Sequence, residues 1–297
     1  MKRKLMAVIT SIALVVGLLA GCGSQRDVKN DTADPGAEKT EGFKIGMCPA
    51  NFGNTWSAQF VEDFEMRADE YKEEGIIDDY QVATVSADLT DQINQCNAMI
   101  NSGIDALLLW CVSPTGVKPI IDLAQANDVL VVICNEAAAY EGTYNIIGNN
   151  YGFQYILTSW LAEQLGGEGN IVEITGVDGF DGNTQRLKAV DDVLADYPGI
   201  EIMASAPGNW SATDAQEVMT TFLSTYNNID GVLAQDVMGD GILKAYENAG
   251  VTPTLLTGDY TKSFLNTWAE IDEMQSCTVS YDAGIIITCL DAAVNLL

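Results

Sequence analysis

The sequence predicts an α/β protein of two doubly wound lobes, each a parallel sheet covered by helices on both faces. Three observations carry this. Short apolar runs bounded by Gly, Asn and Asp alternate with amphipathic segments of helical length, as in strands buried on both faces. The alternation restarts after Asn150 and gives a second set of similar length. The 297-residue chain also has room for two modest cores, since a single core stops growing near ~250–300 residues.

In order, Lys44 to Cys48 reads as a strand and Thr55 to Glu73 as a helix. Gln81 to Val85 is a strand, Thr90 to Asn101 a helix, and Ala106 to Trp110 a continuous apolar strand. Thr115 to Asn127 is a helix, and Val129 to Cys134 a second buried strand. The segment Tyr144 to Asn150 separates the two sets. Helix Tyr155–Leu165 then leads to strand Ile171–Thr175, and helix Thr184–Asp196 to strand Ile200–Ser205. Helix Thr213–Tyr226 precedes strand Gly231–Ala234, and helix Met238–Ala249 precedes strand Thr254–Thr257.

The first residues are of another kind. Met1-Lys2-Arg3-Lys4 is basic, Leu5 to Leu19 is apolar, and Leu19-Ala20-Gly21-Cys22 offers small residues before a cysteine. A basic start, a short apolar region and a small-residue cleavage site make an export signal over residues 1–21. The run is short for a membrane span of ~20 residues. Cys22 at the cut resembles the lipobox of bacterial lipoproteins, which implies a diacylglycerol anchor on that thiol. Residues 22–42 are polar and read as a flexible tether from lipid to folded chain. The implied location is extracytoplasmic, on the outer face of a bacterial cell membrane or in a periplasm.

Composition narrows the function. Net charge is −28, and the leader removes three basic residues and no acid, which leaves −31. Such a surface repels phosphate backbones and anionic headgroups, so nucleic acid is excluded as a partner and the membrane is held by lipid, not by charge. There is no histidine, hence no Ser-His-Asp or Cys-His site. Besides Cys22, the six cysteines show no metal or redox spacing and sit in or beside apolar segments, as free structural thiols do. No D-x-[DN]-x-[DN]-G loop supports calcium, and GVDGFDGN matches no phosphate-binding glycine motif. No metal and no cofactor is predicted.

In parallel α/β sheets, ligands bind beyond the carboxyl ends of the strands. The residues there are Asn51 to Trp56, Trp110, Asn135-Glu136, the loop Gly176 to Asn183, Asn209-Trp210, Gln235-Asp236 and Gly258-Asp259. Asn, Asp and Gly are common loop formers and caps. Three of the five tryptophans are harder to explain as turn residues. Flat indole faces cover the C–H faces of a sugar ring, and carboxylates and amides hold its hydroxyls.

The segments NFGNTWSAQF, NAMINSGIDALLLWCVSPTGVKPII, VLVVICN, GNNYGFQ, NTQRLKAVDDVL, NWSATDAQEVM, AQDVMGDGILKAYENAG, LLTGD and TVSYDAG follow in order over nearly the whole chain. Through them, Phe43 to Leu297 resembles the sugar-binding proteins of ABC importers, in the ribose-binding branch of the type I periplasmic binding proteins. The resemblance implies two lobes joined by a three-strand hinge, with the sugar closed between them. It implies an N-terminal lobe of residues 43–148 and 282–297, a C-terminal lobe of residues 149–281, and at least one more strand after the helix ending at Leu297.

Carried onto this sequence, the family's first-loop Asn and aromatic correspond to Asn54 and Trp56. The Asn ending the third strand is replaced by Trp110, and the Asp-Arg pair after the fourth by Asn135 and Glu136. The second-lobe aromatic resembles Trp210. Asp236 replaces an Asn, Asp259 matches an Asp, and Tyr281 stands loosely for a Gln at the last crossing. The arginine that reaches the sugar aligns with Thr184, while Arg186 matches a neighbour with a structural role. Acids are gained and arginines lost, which implies a cleft rich in acceptors and poor in cations. Ribose itself and anionic sugars are therefore disfavoured.

The implied function is capture of a small neutral sugar or polyol and its delivery to the transmembrane subunits of an ABC permease, by a monomer held through lipid. The chain is expected not to be an enzyme. A cationic ligand, an amino sugar or quaternary amine, is an alternative, because indoles with carboxylates also make a cation site. A sensor acting on a chemoreceptor or histidine kinase would read the same. An exported carboxylate-only glycosidase is a third class, kept open by Asp236 and Asp259. Repressors of related fold carry an N-terminal DNA-binding motif where this chain has an export signal.

Overall fold

The structure, a computed structural model, describes residues 42–50, 53–85, 88–258 and 260–297. The export signal, Cys22, the tether through residue 41, Asn51, Phe52 and Asp259 lie outside the described residues.

The first set of elements is β1 (Phe43–Cys48), α1 (Thr55–Glu73), β2 (Ile77–Val82), α2 (Leu89–Asn101), β3 (Ala106–Leu109), α3 (Lys118–Ala126), β4 (Leu130–Cys134) and β5 (Thr143–Ile146). The second is α4 (Asn150–Gln164), β6 (Glu168–Thr175), α5 (Asp181–Leu194), β7 (Gly199–Pro207), α6 (Ala212–Thr225), β8 (Gly231–Ala234), α7 (Gly239–Ala249), β9 (Leu255–Gly258), α8 (Lys262–Trp268), β10 (Gln275–Thr278) and α9 (Ile285–Leu296).

The strands form two five-stranded sheets, ordered β2-β1-β3-β4-β5 and β7-β6-β8-β9-β10. Every pairing is parallel. Counted from its own first strand, each sheet has the order 2-1-3-4-5. The central strands β3 (ALLL) and β8 (GVLA) are buried at every position, as expected of strands with helices on both sides. Helix starts follow their caps. The side chains of Asn54, Asp88, Asn149, Ser211 and Thr261 each accept a hydrogen bond from a backbone N–H in the first turn.

Several boundaries move from where the sequence puts them. β2 lies at 77–82 instead of 81–85, because an edge strand tolerates the exposed acids Asp78 and Asp79. β5 is a short, mostly solvent-facing edge strand beside β4 that hydropathy alone does not mark. α4 starts five residues earlier than Tyr155 and α5 three earlier than Thr184. The second shift matters for the site.

Two segments link the sheets among the described residues, 147–149 after β5 and 279–284 before α9; the hinge that the resemblance implies has three. α9 returns to pack on α1 and on the face of β4. The described cysteines are free; five are buried and Cys277 is half-buried. Burial pushes the thiols of Cys111 and Cys134 up.

Candidate functional site

In each sheet the connection reverses direction between the first and third strands in sequence order, at β1/β3 and at β6/β8. The crevice beyond their carboxyl ends is where open α/β sheets take ligands. The loops that leave these four strands converge here. Asn54 and Trp56 follow β1, Trp110 ends β3, Phe180 and Gly182 follow β6, and Asp236 and Val237 follow β8. They face one another across a small cavity of about 50 Å³, completed by Asn135, Glu136, Asn150, Arg186, Trp210 and Tyr281.

Local geometry explains each placement. Asn54 caps α1 by accepting from the Ser57 N–H at 2.8 Å, and its Nδ2 donates to the Trp210 carbonyl at 3.2 Å. That bond joins the two lobes. The Trp56 indole N–H donates to the Tyr281 carbonyl at 2.6 Å, and its ring meets Trp110 edge-on with centroids 5.2 Å apart. The buried Gln92 amide clamps the end of β3, donating to the Trp110 carbonyl and accepting from the Val112 N–H. Asn135 turns the chain after β4 with φ +64°, a conformation amides adopt more readily than other side chains. Asn209 and Trp210 both have positive φ, at +56° and +51°. Each such non-glycine residue costs roughly 1–3 kcal/mol and persists only where its surroundings impose it. Here the Trp210 ring lies over Gly176, where a Cβ would overlap the indole.

A continuous hydrogen-bonded chain runs along the floor. The Tyr281 hydroxyl donates to Asn135 Oδ1 at 3.0 Å and accepts from Asn150 Nδ2 at 3.0 Å. Asn150 Oδ1 accepts from Arg186 Nε at 2.9 Å. Arg186 Nη1 reaches Asp236 Oδ1 at 2.5 Å and Gln235 Oε1 at 3.3 Å. Gln235 Oε1 also accepts from the Trp210 indole N–H at 2.8 Å. The Arg186–Asp236 pair is almost fully buried. The guanidinium lies 4.3 Å from the Phe153 ring centroid, 5.0 Å from Tyr281 and 5.7 Å from Trp210, within cation–π range of all three.

Glu136 is the other buried acid. Its Oε1 accepts from the Gly182 N–H at 3.2 Å, a second bond between the lobes. Burial pushes its carboxyl up to about 7, a rise that the Gly182 N–H and the Arg186 charge moderate. Burial likewise lifts the Tyr281 hydroxyl to about 12, so it stays a neutral donor.

Eight of the sequence-derived candidates therefore meet on one cavity: Asn54, Trp56, Trp110, Asn135, Glu136, Trp210, Asp236 and Tyr281. Asp259 and Cys22 lie outside the described residues. Thr184 does not reach the cavity. It is exposed, and its hydroxyl donates to the Phe180 carbonyl one turn back. Arg186, expected to be purely structural, lines the cavity instead, so the cleft is not poor in cations and Asp236 is a paired acid. Asn150, Phe180, Gly182 and Val237 also line it without having been singled out. Phe180 and Gly182 stand in the loop marked as a candidate; Asn150, at the start of α4, gave no signal because amides at helix starts usually only cap.

Residues 45–297 match the model of the periplasmic binding protein domain. This chain belongs to that family. The family is that of periplasmic binding proteins, which places the chain outside the cytoplasm. The chain is 33% identical over 213 residues to a xylitol-binding protein of Mycolicibacterium smegmatis, covering 67% of this chain and 60% of that protein. It is 23% identical over 286 residues to the ribose import binding protein of Bacillus subtilis, covering 96% and 90%. The chain spans less than two thirds of the length of the first curated relatives it matches. Among solved structures, an ABC transporter solute-binding protein from Thermobispora bispora superposes with a TM-score of 0.80 at 26% identity, covering 86% of this chain and 80% of that one. The two parallel sheets are those of the family fold.

Proposed function

We propose that this chain captures a small neutral sugar or polyol between its two lobes and hands it to the transmembrane subunits of an ABC permease. One observation carries the reading: an interlobe cavity walled by Trp56, Trp110 and Trp210 and floored by amides and a paired charge. Indole faces suit the C–H faces of a polyol, and the amides, Glu136 and the Arg186–Asp236 pair suit its hydroxyls. Arg186 itself occupies the aromatic cage that a cationic ligand would need, which favours a neutral ligand. The names of the xylitol-binding and ribose-binding relatives support the same class.

The ligand set in this reading is Asn54, Trp56, Trp110, Asn135, Glu136, Trp210, Asp236 and Tyr281, with Arg186 in place of Thr184 and Asp259 as a further acceptor. The lobes are residues 43–148 with 282–297, and residues 149–281. Residues 1–21 direct export, Cys22 carries the lipid, residues 22–42 are the tether, and the protein is a monomer. No covalent step is assigned to it.

The test is a thermal-shift screen of the protein without its leader against pentoses, hexoses, polyols, amino sugars and quaternary amines. A ligand at ~100 times its Kd that binds only the folded state stabilises by ~2.7 kcal/mol, a clear rise in melting temperature. A neutral polyol or sugar hit, lost in Trp56→Ala, supports the reading. Hits confined to cations would overturn the ligand class.

A further inference from the structure

The interlobe cavity has little room. An enclosed water needs roughly 10–15 Å³ of such space, so about 50 Å³ offers about four water-sized positions. The residues that line it are buried, except Asn54, Trp210 and Val237, which are half-buried. The lobes already meet around it. The Asn54 amide donates to the Trp210 carbonyl, and Glu136 accepts from the Gly182 N–H. This is therefore the volume of the closed site, and spreading the lobes around a larger ligand would break both bonds.

One wall sets that volume. Trp110 follows β3 directly and is held from two directions. The fully buried Gln92 donates to its carbonyl at 2.8 Å and accepts from the Val112 N–H at 2.9 Å. Its ring packs against those of Trp56 and Phe60, each with centroids 5.2 Å away. Trp56 is fixed in turn by the Tyr281 carbonyl. This aromatic stack is continuous with the buried core around Phe64 and Ile45. A ligand that needs more space would have to displace part of that core, which is costly in a close-packed interior.

The rest of the lining is polar. Asn135, Glu136, Asn150, Arg186 and Asp236 border the same small space. Amides, carboxylates and a guanidinium together suit hydroxyls, which both donate and accept. A carbon without a hydroxyl would leave one of these buried groups without a ligand partner.

We infer that the ligand is a short polyol of about three or four carbons with a hydroxyl on each, of the glycerol or erythritol type, and that Trp110 sets this limit and shuts out pentose and hexose rings. The inference rests on the interlobe cavity being the ligand site.

The experiment is calorimetric titration of the protein, without its leader, with glycerol, erythritol, xylitol, D-sorbitol, D-xylose and D-glucose. Affinity is expected to peak at glycerol or erythritol and to be at least about tenfold weaker for both ring sugars. Propane-1,3-diol, which lacks the central hydroxyl of glycerol, should also bind at least about tenfold more weakly than glycerol. Trp110→Phe and Trp110→Leu enlarge the cavity by different amounts. Each should weaken binding of the short polyols and strengthen that of xylitol or D-xylose, so that the preferred size moves upward. A parent protein whose affinity peaks at any longer polyol or at a ring sugar would overturn the size limit and leave the neutral-ligand reading standing; that ranking needs no variant. An unchanged ranking in both variants, with far-ultraviolet circular dichroism showing them folded, would overturn the role of Trp110. A folded parent protein that binds no member of the series would overturn the cavity reading with it.

Discussion

Glu136 carries the least favourable charge in the cleft. It is 3% exposed, is hydrogen-bonded to the backbone at Gly182 and Asp181, and has no paired cation of its own, because Arg186 is committed to Asp236. Its carboxyl titrates near 7 in the fold against an ordinary 4.5. The folded protein therefore holds this proton to higher pH than the unfolded chain does, and stability falls as pH rises from about 4.5 towards about 7. Glu136→Gln keeps the acceptor for Gly182 and removes the charge. It should be more stable than the parent at pH 8, by up to about 3 kcal/mol, with the difference vanishing near pH 4 and below; equal stability gains at both pH values would refute the assignment. Side-chain chemistry made Glu136, Asp236 and the three tryptophans legible in the sequence, because buried acids and indoles after strands have few purely structural uses. Thr184 and Arg186 were not distinguishable that way. They stand two apart on one helix and so face about 200° away from each other, and which of them faces the cleft depends on where α5 begins.

At the scale of elements, glycines decide where the aromatic walls stand. Gly176, at the end of β6, lets the Trp210 indole lie on the backbone, and Gly148, in the first crossing, does the same for the Tyr281 ring. Gly176→Ala should drive Trp210 out of its place, at an overpacking cost of roughly 1–3 kcal/mol. The near-ultraviolet circular dichroism of the indoles would change and ligand affinity would fall, while the far-ultraviolet spectrum of the sheets is kept. An unaltered aromatic spectrum would show that the contact does not hold Trp210. Central elements such as β3 and β8 were plain in the sequence, since burial on both faces leaves an unbroken apolar run. Edge strands β2 and β5 were displaced or unmarked, since half their residues meet water and hydropathy cannot separate them from loop. The positive φ at Trp210 had no sequence signature, because residue preference does not lead an indole there, unlike the amide of Asn209 that precedes it.

At the scale of the whole molecule, closure rests on few direct bonds between lobes. Asn54→Asp retains the α1 cap but loses the donor that holds the Trp210 carbonyl. One hydrogen bond is worth about 1 kcal/mol, so the open population should rise roughly fivefold. Small-angle scattering of the ligand-free protein would then give a larger radius of gyration, with the melting temperature little changed. A scattering curve identical to the parent's would mean that this bond does not hold the lobes. The twofold plan was readable from the restart of the strand–helix rhythm, whereas the connections were not, because crossing segments such as 279–284 carry no periodicity. One of them has a mechanical meaning. The Tyr281 carbonyl accepts from Trp56 of one lobe and from Tyr260 of the other, on a residue whose hydroxyl is itself tied to Asn135 and Asn150. It works like the pin of a joint: both halves bear on a single oxygen, so their permitted relative motion is swivel without slide. A swivelling pair keeps its register however often it turns, and the cavity walls meet in the same alignment at every cycle.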